Sequence, residues 1–207
     1  HLSIRRQRQM CIRDRMTQTE ETALSRADSV FKRILGDIPA EAAFVGIGTL
    51  NALDFQYGHE PDLSPAVPFG REVRYEHRHN GLPVFGDVLS ATVIGDEIRK
   101  VRVCWHHFRG EGNARKARVH HASRALPVAA QALREKLSPD QPLRLRLREA
   151  RLGYYPFHDA GKTEKLFLPV WSFDFEKEGW LYRRYVNALT NESLDSDAHI
   201  SNAESKR

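Results

Sequence analysis

Residues 142–191, PLRLRLREARLGYYPFHDAGKTEKLFLPVWSFDFEKEGWLYRRYVNALTN, decide the fold. Leu143, Leu145 and Leu147 alternate with Arg144, Arg146 and Arg148, and the run continues through Leu152 to Tyr154 and Tyr155. Alternation with period two predicts a strand with one buried and one wet face. Lys165 to Phe175 predicts a second strand, with Leu166, Leu168 and Val170 on one face and Phe167, Trp171, Phe173 and Phe175 on the other, so that both faces are at least partly covered. Trp180 to Leu189 predicts a third, closing in Asn187-Ala-Leu-Thr-Asn191. The connections, His158 to Thr163 and Glu176 to Gly179, are too short for a parallel crossover, so the pairing is antiparallel. A three-stranded meander needs a cover. The preceding helix, Leu126 to Leu137, supplies it with a face of Leu126, Ala129, Ala130, Leu133 and Leu137, and Pro127 is placed in its first turn.

Working towards the N-terminus, residues 109–122 are charged and read as a linker that can end in a strand. Before it come Arg71 to His79, the hairpin dipeptide Asn80-Gly81, Leu82 to Ile94, a second turn at Gly95-Asp96, and Glu97 to Phe108. Residues 58–70 carry three prolines and read as a long loop, and 42–57 as a strand or a bent pair broken at Gly46 and Gly48. Thr17 and Glu20 have capping-box spacing ahead of an apolar stripe of Leu24, Ala27, Phe31 and Leu35, stopped by Gly36. The fold class is therefore α+β: two tandem units, each a helix packed on a curved antiparallel meander, at 16–110 and 111–192, with a polar, disordered tail at 193–207.

Residues 1–15, HLSIRRQRQMCIRDR, have no cap and no apolar period, and they resemble a translated sequencing adapter. The expectation is a disordered artefact in front of a truncated chain whose missing part can carry a membrane tether. Without those residues, 27 Lys+Arg face 26 Asp+Glu, a net charge of +1 against +5 for the whole chain. The basic character then no longer argues for nucleic acid, and none is expected as a partner. Cys104 is the single cysteine left, so no intramolecular disulfide is expected.

Three patterns invite chemistry. His77 and His79 share a strand face at a spacing zinc can use, and with His106 they make a conceivable metal-dependent enzyme, although two ligands do not close a site. His59-Glu60 begins a zincin motif, but Leu63 stands where the second histidine belongs. Gly161-Lys162-Thr163 ends like a phosphate loop, but Pro156 occupies the position of its first glycine and a strand follows. No metal, cofactor or catalytic residue is expected, and Cys104 reads as a small buried hydrophobe. Two groups are suited to a protein partner. The row Arg144, Arg146, Arg148 and Arg151 lines a strand face, and Phe167 and Trp171 would make a concave aromatic surface if they faced away from the helix.

Asn80-Gly-Leu-Pro-Val-Phe-Gly86 resembles the G-I-P-V-F-G signature of the propeptide-type domains ahead of secreted metallopeptidases and of their PepSY relatives. Leu152-Gly-Tyr-Tyr155, Leu168-Pro-Val-Trp171 and Tyr185-Val-Asn-Ala-Leu-Thr190 are similar to the closing pattern of PepSY-like domains and of YycH/YycI-type regulatory proteins, with Asn191 in place of the last glycine. The resemblance covers residues 17–192. It implies a non-catalytic, extracytoplasmic or membrane-associated protein of the bacterial envelope, one that modulates a sensor kinase or acts as chaperone or inhibitor of a peptidase. It makes Pro169, Trp171 and Asn187 structural signature positions.

Overall fold

The structure, a computed structural model, describes residues 19–54, 62–108, 117–137, 144–158, 165–194 and 200–202, with backbone alone at 52–54, 62–67, 158, 165 and 200–202. The adapter-like segment 1–15, Thr17, His59-Glu60, Leu143 and Gly161-Lys162-Thr163 lie outside the described residues. The fold is α+β, with helices α1 (Glu20–Leu35) and α2 (Ala122–Leu137). Four strands follow α1: β1 (Ala42–Asp54), β2 (Asp62–His79), β3 (Leu82–Ile94) and β4 (Glu97–Cys104). Five follow α2: β5 (Arg146–His158), β6 (Lys165–Lys177), β7 (Trp180–Asn187), β8 (Ser193–Leu194) and β9 (Ile200–Asn202). Strand pairing is mixed. β1–β2, β3–β4, β5–β6 and β6–β7 are antiparallel, β8 and β9 both add to β7, and Val84 pairs in parallel with Tyr154.

The chain divides into two compact units, and the division is not tandem. Residues up to His77 join Asp87–Trp105 in the first, whereas Arg78–Gly86 belongs with His106 onward in the second. The reason is local. The hairpin tip at 78–86 places Val84 beside Tyr154 and packs Phe85 against Val170 and Tyr185. Gly153 makes this approach possible, because a Cβ there would meet the Pro83 carbonyl at 2.5 Å and the Phe85 ring at 2.6 Å.

In the first unit, α1 turns Ala23, Ala27 and Phe31 onto Val73, Tyr75, Leu89, Ala91 and Val93. Two alanines one turn apart let the helix axis come close to the strands, and Phe31 fills the remaining depth, a burial that stabilises by about 1.5–3 kcal/mol. Ile34 and Leu35 are exposed, so the apolar stripe is shorter than the sequence suggests. Thr19, not Thr17, is the cap: its hydroxyl accepts from the Thr22 N–H at 3.2 Å, and the helix ends at Gly36 with φ of 84°. Polar ties hold both sides, since Tyr75 donates to Asp28 at 2.6 Å and Arg71 pairs with Glu20 at 3.0 Å. The expected loop at 58–70 is strand from Asp62 onward. Pro68 is accommodated because the β1–β2 register slips between Leu50 and Asn51, next to it, where a missing donor interrupts no regular ladder.

The second unit repeats the helix chemistry: Ala125, Ala129 and Leu133 of α2 bury against Phe173, Phe175 and Val186. α2 begins four residues before the sequence-predicted start, which puts Pro127 inside the helix rather than in its first turn. The start is fixed by His121, whose Nδ1 accepts from the Ser123 N–H at 3.3 Å. The turns follow their sequences. Asn80-Gly81 (φ 50° and 79°) and Glu178-Gly179 (52° and 79°) are two-residue hairpins, and Asn191 takes φ of 63°, a value asparagine adopts more readily than most residues. The expected disordered tail is partly strand, because Ser193–Leu194 and Ile200–Asn202 satisfy backbone groups along β7.

Candidate functional site

The second unit's β5–β6 ladder sorts the expected partner-binding residues. On one face the direct pairs run Gly153–Val170, Tyr155–Leu168 and Phe157–Leu166. Val170 is fully buried, Tyr155 and Leu168 are half-buried against the Phe85–Tyr185 cluster, and Phe157 and Leu166 stand 41% and 57% exposed. One apolar ladder thus runs out of the core into solvent at the end of the hairpin. The opposite face carries Trp171, Phe173 and Phe175 to α2. Trp171 also donates its Nε1–H to the His120 carbonyl at 2.8 Å, which explains why a large amphipathic ring stands there.

Phe167 and Trp171 therefore do not form one concave surface. Trp171 packs beside the helix, whereas Phe167 lies 4.3 Å from the Phe108 ring and 5.6 Å from His106 in an aromatic group with Tyr154 and His79. The arginine row is also broken. Arg144 precedes β5, and the register slips between Leu147 and Glu149, so Arg148 sits in a bulge and pairs with Glu176. Arg151 lies over the Phe85 ring at 5.7 Å. Leu147, the last leucine of the alternating run, is 41% exposed as a result.

Across β6 and β7, Arg183 meets Asp174 with two bonds of 2.6 Å each. That hydrogen-bonded carboxylate raises the Arg183 pKa, and burial raises the Tyr185 hydroxyl. Asn187 closes β7 as an Asx turn, its Oδ1 accepting from Leu189 at 2.8 Å and Thr190 at 3.3 Å.

Two of the candidate metal histidines, His77 and His79, stack on aromatic rings. In the first unit His77 is 1% exposed, with its Nδ1 2.8 Å from the Asp87 carboxylate and its ring stacked on Trp105 at 4.3 Å. In the second, His79 stacks on Phe108 at 3.8 Å. Cys104 is half-buried, within 4.8 Å of the Asp87 carboxylate. Sequence reasoning missed Asp87 and Trp105. The available signal was a carboxylate between Phe85-Gly86 and Val88-Leu89, where charge is tolerated only with a partner. Among the described residues, no helix is long and apolar enough to cross a membrane.

No family model matches the chain, and no curated protein matches it. Among solved structures, the Bacillus megaterium YpeB C-terminal domain aligns with a TM-score of 0.46 and 12% identity, over 88% of this chain and 66% of that one. A likeness at this level assigns neither family nor role.

Proposed function

We propose that the chain is a non-catalytic binding module of the bacterial cell envelope that modulates a membrane sensor kinase, or a similar envelope protein, by direct contact. The observation that carries this reading is the apolar ladder of β5–β6, which leaves the core and presents Phe157 and Leu166 side by side in water. An exposed pair that extends a core stripe has a ready use as a docking point. Arg144 and Arg146 supply exposed cations on the same strand and its lead-in, Arg148 adds a partly shielded one, and Phe167 lies across the ladder from Pro156. The short signatures shared with PepSY-like and YycH/YycI-type proteins direct the choice of partner to the envelope.

A photo-crosslinking residue placed at Leu166 in the native host tests this. Adducts with the extracytoplasmic part of a sensor kinase, abolished by Phe157→Asp, are expected. Adducts with a secreted peptidase would transfer the module to the propeptide class, and a clean absence of adducts from the correctly folded protein would overturn the contact.

A further inference from the structure

A cavity of about 530 Å³ opens beside the start of α2, within the second unit, lined by Arg118, Val119, His120, His121, Arg124 and Leu189. Four of its six lining residues carry, or can carry, positive charge, and none is acidic. Its floor is rigid. The His120 N–H donates to the Ala188 carbonyl at 2.7 Å, and the His120 carbonyl receives the Trp171 indole at 2.8 Å, so the segment is tied to β6 and to the turn after β7.

The charges are placed against ordinary helix electrostatics. A first helical turn favours acidic side chains, yet α2 has none in its first turn and instead holds Arg124 there. Arg124 also donates from its guanidinium to the His120 Nδ1 at 3.5 Å. That contact holds the guanidinium at the cavity wall, and an anion bound there would meet both the arginine and the helix N-terminus with favourable sign.

We infer that this cavity binds a phosphate monoester attached to an apolar body, with the phosphate between Arg118 and Arg124 and the apolar part against Val119 and Leu189. Planar guanidinium forks match phosphate oxygens in pairs, which makes paired arginines better suited to phosphate than to a monocarboxylate. The volume lies within the range of small-molecule sites and is generous for inorganic phosphate alone. Phosphate monoesters occur as soluble metabolites and as lipid headgroups, and both present the same dianion. This inference stands apart from the docking role proposed for the far end of β5–β6, and either can fail alone.

The test is titration of the whole chain with inorganic phosphate, phenyl phosphate and acetate, followed by calorimetry and by the imidazole resonances of His120 and His121. Saturable shifts at both histidines are expected, with phenyl phosphate binding at least tenfold more tightly than inorganic phosphate and acetate causing none. Binding should weaken steeply with added salt. Arg124→Ala should weaken phenyl phosphate at least tenfold, and Leu189→Ser should erase its advantage over inorganic phosphate. Co-sedimentation with phosphatidate vesicles but not phosphatidylcholine vesicles would assign the headgroup source, and binding of phenyl phosphate with no vesicle retention the soluble one. Absence of histidine shifts in the unsubstituted protein, or an equal response to acetate, would overturn the site.

Discussion

The Nδ1 of His77 lies 2.8 Å from the carboxylate of Asp87, and both side chains are almost fully removed from water. They meet because each adjoins the Asn80-Gly81 hairpin, one on β2 and one on β3, where a strand that is otherwise apolar has accepted a charge. Asp87→Ala leaves the imidazole without this hydrogen-bond partner, and a loss of about 1–3 kcal/mol is expected, as for leaving a buried polar group unsatisfied. Asp87→Asn keeps an oxygen at the same place and should cost less than half of that. Urea unfolding of the two variants checks the order, and equal losses would show that packing, not the hydrogen bond, dominates here.

Gly153→Ala is expected to be among the most damaging single substitutions in the second unit. The new methyl group would press on the Pro83 carbonyl, which is backbone, and on the rigid Phe85 ring. Neither yields cheaply, so about 2–4 kcal/mol is expected, above the common overpacking range at its upper end. Amide exchange should locate the damage, with protection lost at Val84 and Tyr154 and kept at the β6–β7 pairs far from the contact.

The strands and turns that border glycine or asparagine were legible in the sequence because their signals are local: Asn80-Gly81 and Glu178-Gly179 require positive φ, and the chain supplies residues that adopt it. What could not be read depends on distant partners. Nothing near Arg148 announces the bulge that breaks the leucine-arginine alternation, and nothing around Pro68 shows that β1 would offer a slipped register to pair with it. The place of residues 78–86 in the second unit was hidden for a related reason: the contact of Phe85 with Val170 and Tyr185 is settled some 85 to 100 residues away. The cavity beside α2 was equally hidden, since Leu189 joins Arg118 and Arg124 only after β7 has folded back. By contrast, the spacing Ala23-Ala27-Phe31 and Ala125-Ala129-Leu133 was visible throughout, and it is the clearest residue-level trace that the two units share a way of packing.

Trp171→Phe separates two functions of one side chain. Phenylalanine retains most of the apolar contact with the α2 cluster but cannot donate to the His120 carbonyl. About 1–3 kcal/mol should be lost, the range for leaving a partly buried acceptor unmade. Amide resonances should move at residues 118–121 and Leu189, while 156–158 stay in place. Movement confined to β6 would mean that the indole hydrogen bond does not hold the segment.

Alkaline pH should weaken the fold through its buried phenols. Tyr75 is 7% exposed and donates to Asp28, and its pKa is raised above the ordinary value by burial first, then by that hydrogen bond and the aspartate's charge. Tyr185 is raised as well, again chiefly by burial. In the unfolded chain a tyrosine loses its proton near pH 10, while the folded protein still holds these two. The unfolded state then binds fewer protons, so stability falls as pH rises. The stabilising contribution is complete below about pH 10 and is lost on the way up to the folded-state values. Urea midpoints measured from pH 8 to 11.5 should be level at first and decline above about pH 10. Tyr75→Phe should lower the midpoint at pH 8, because the Asp28 hydrogen bond is gone, and should flatten the alkaline decline, because one of the two linked protons has been removed. An unchanged slope in Tyr75→Phe would mean that the hydroxyl titrates no differently in the folded and unfolded chain.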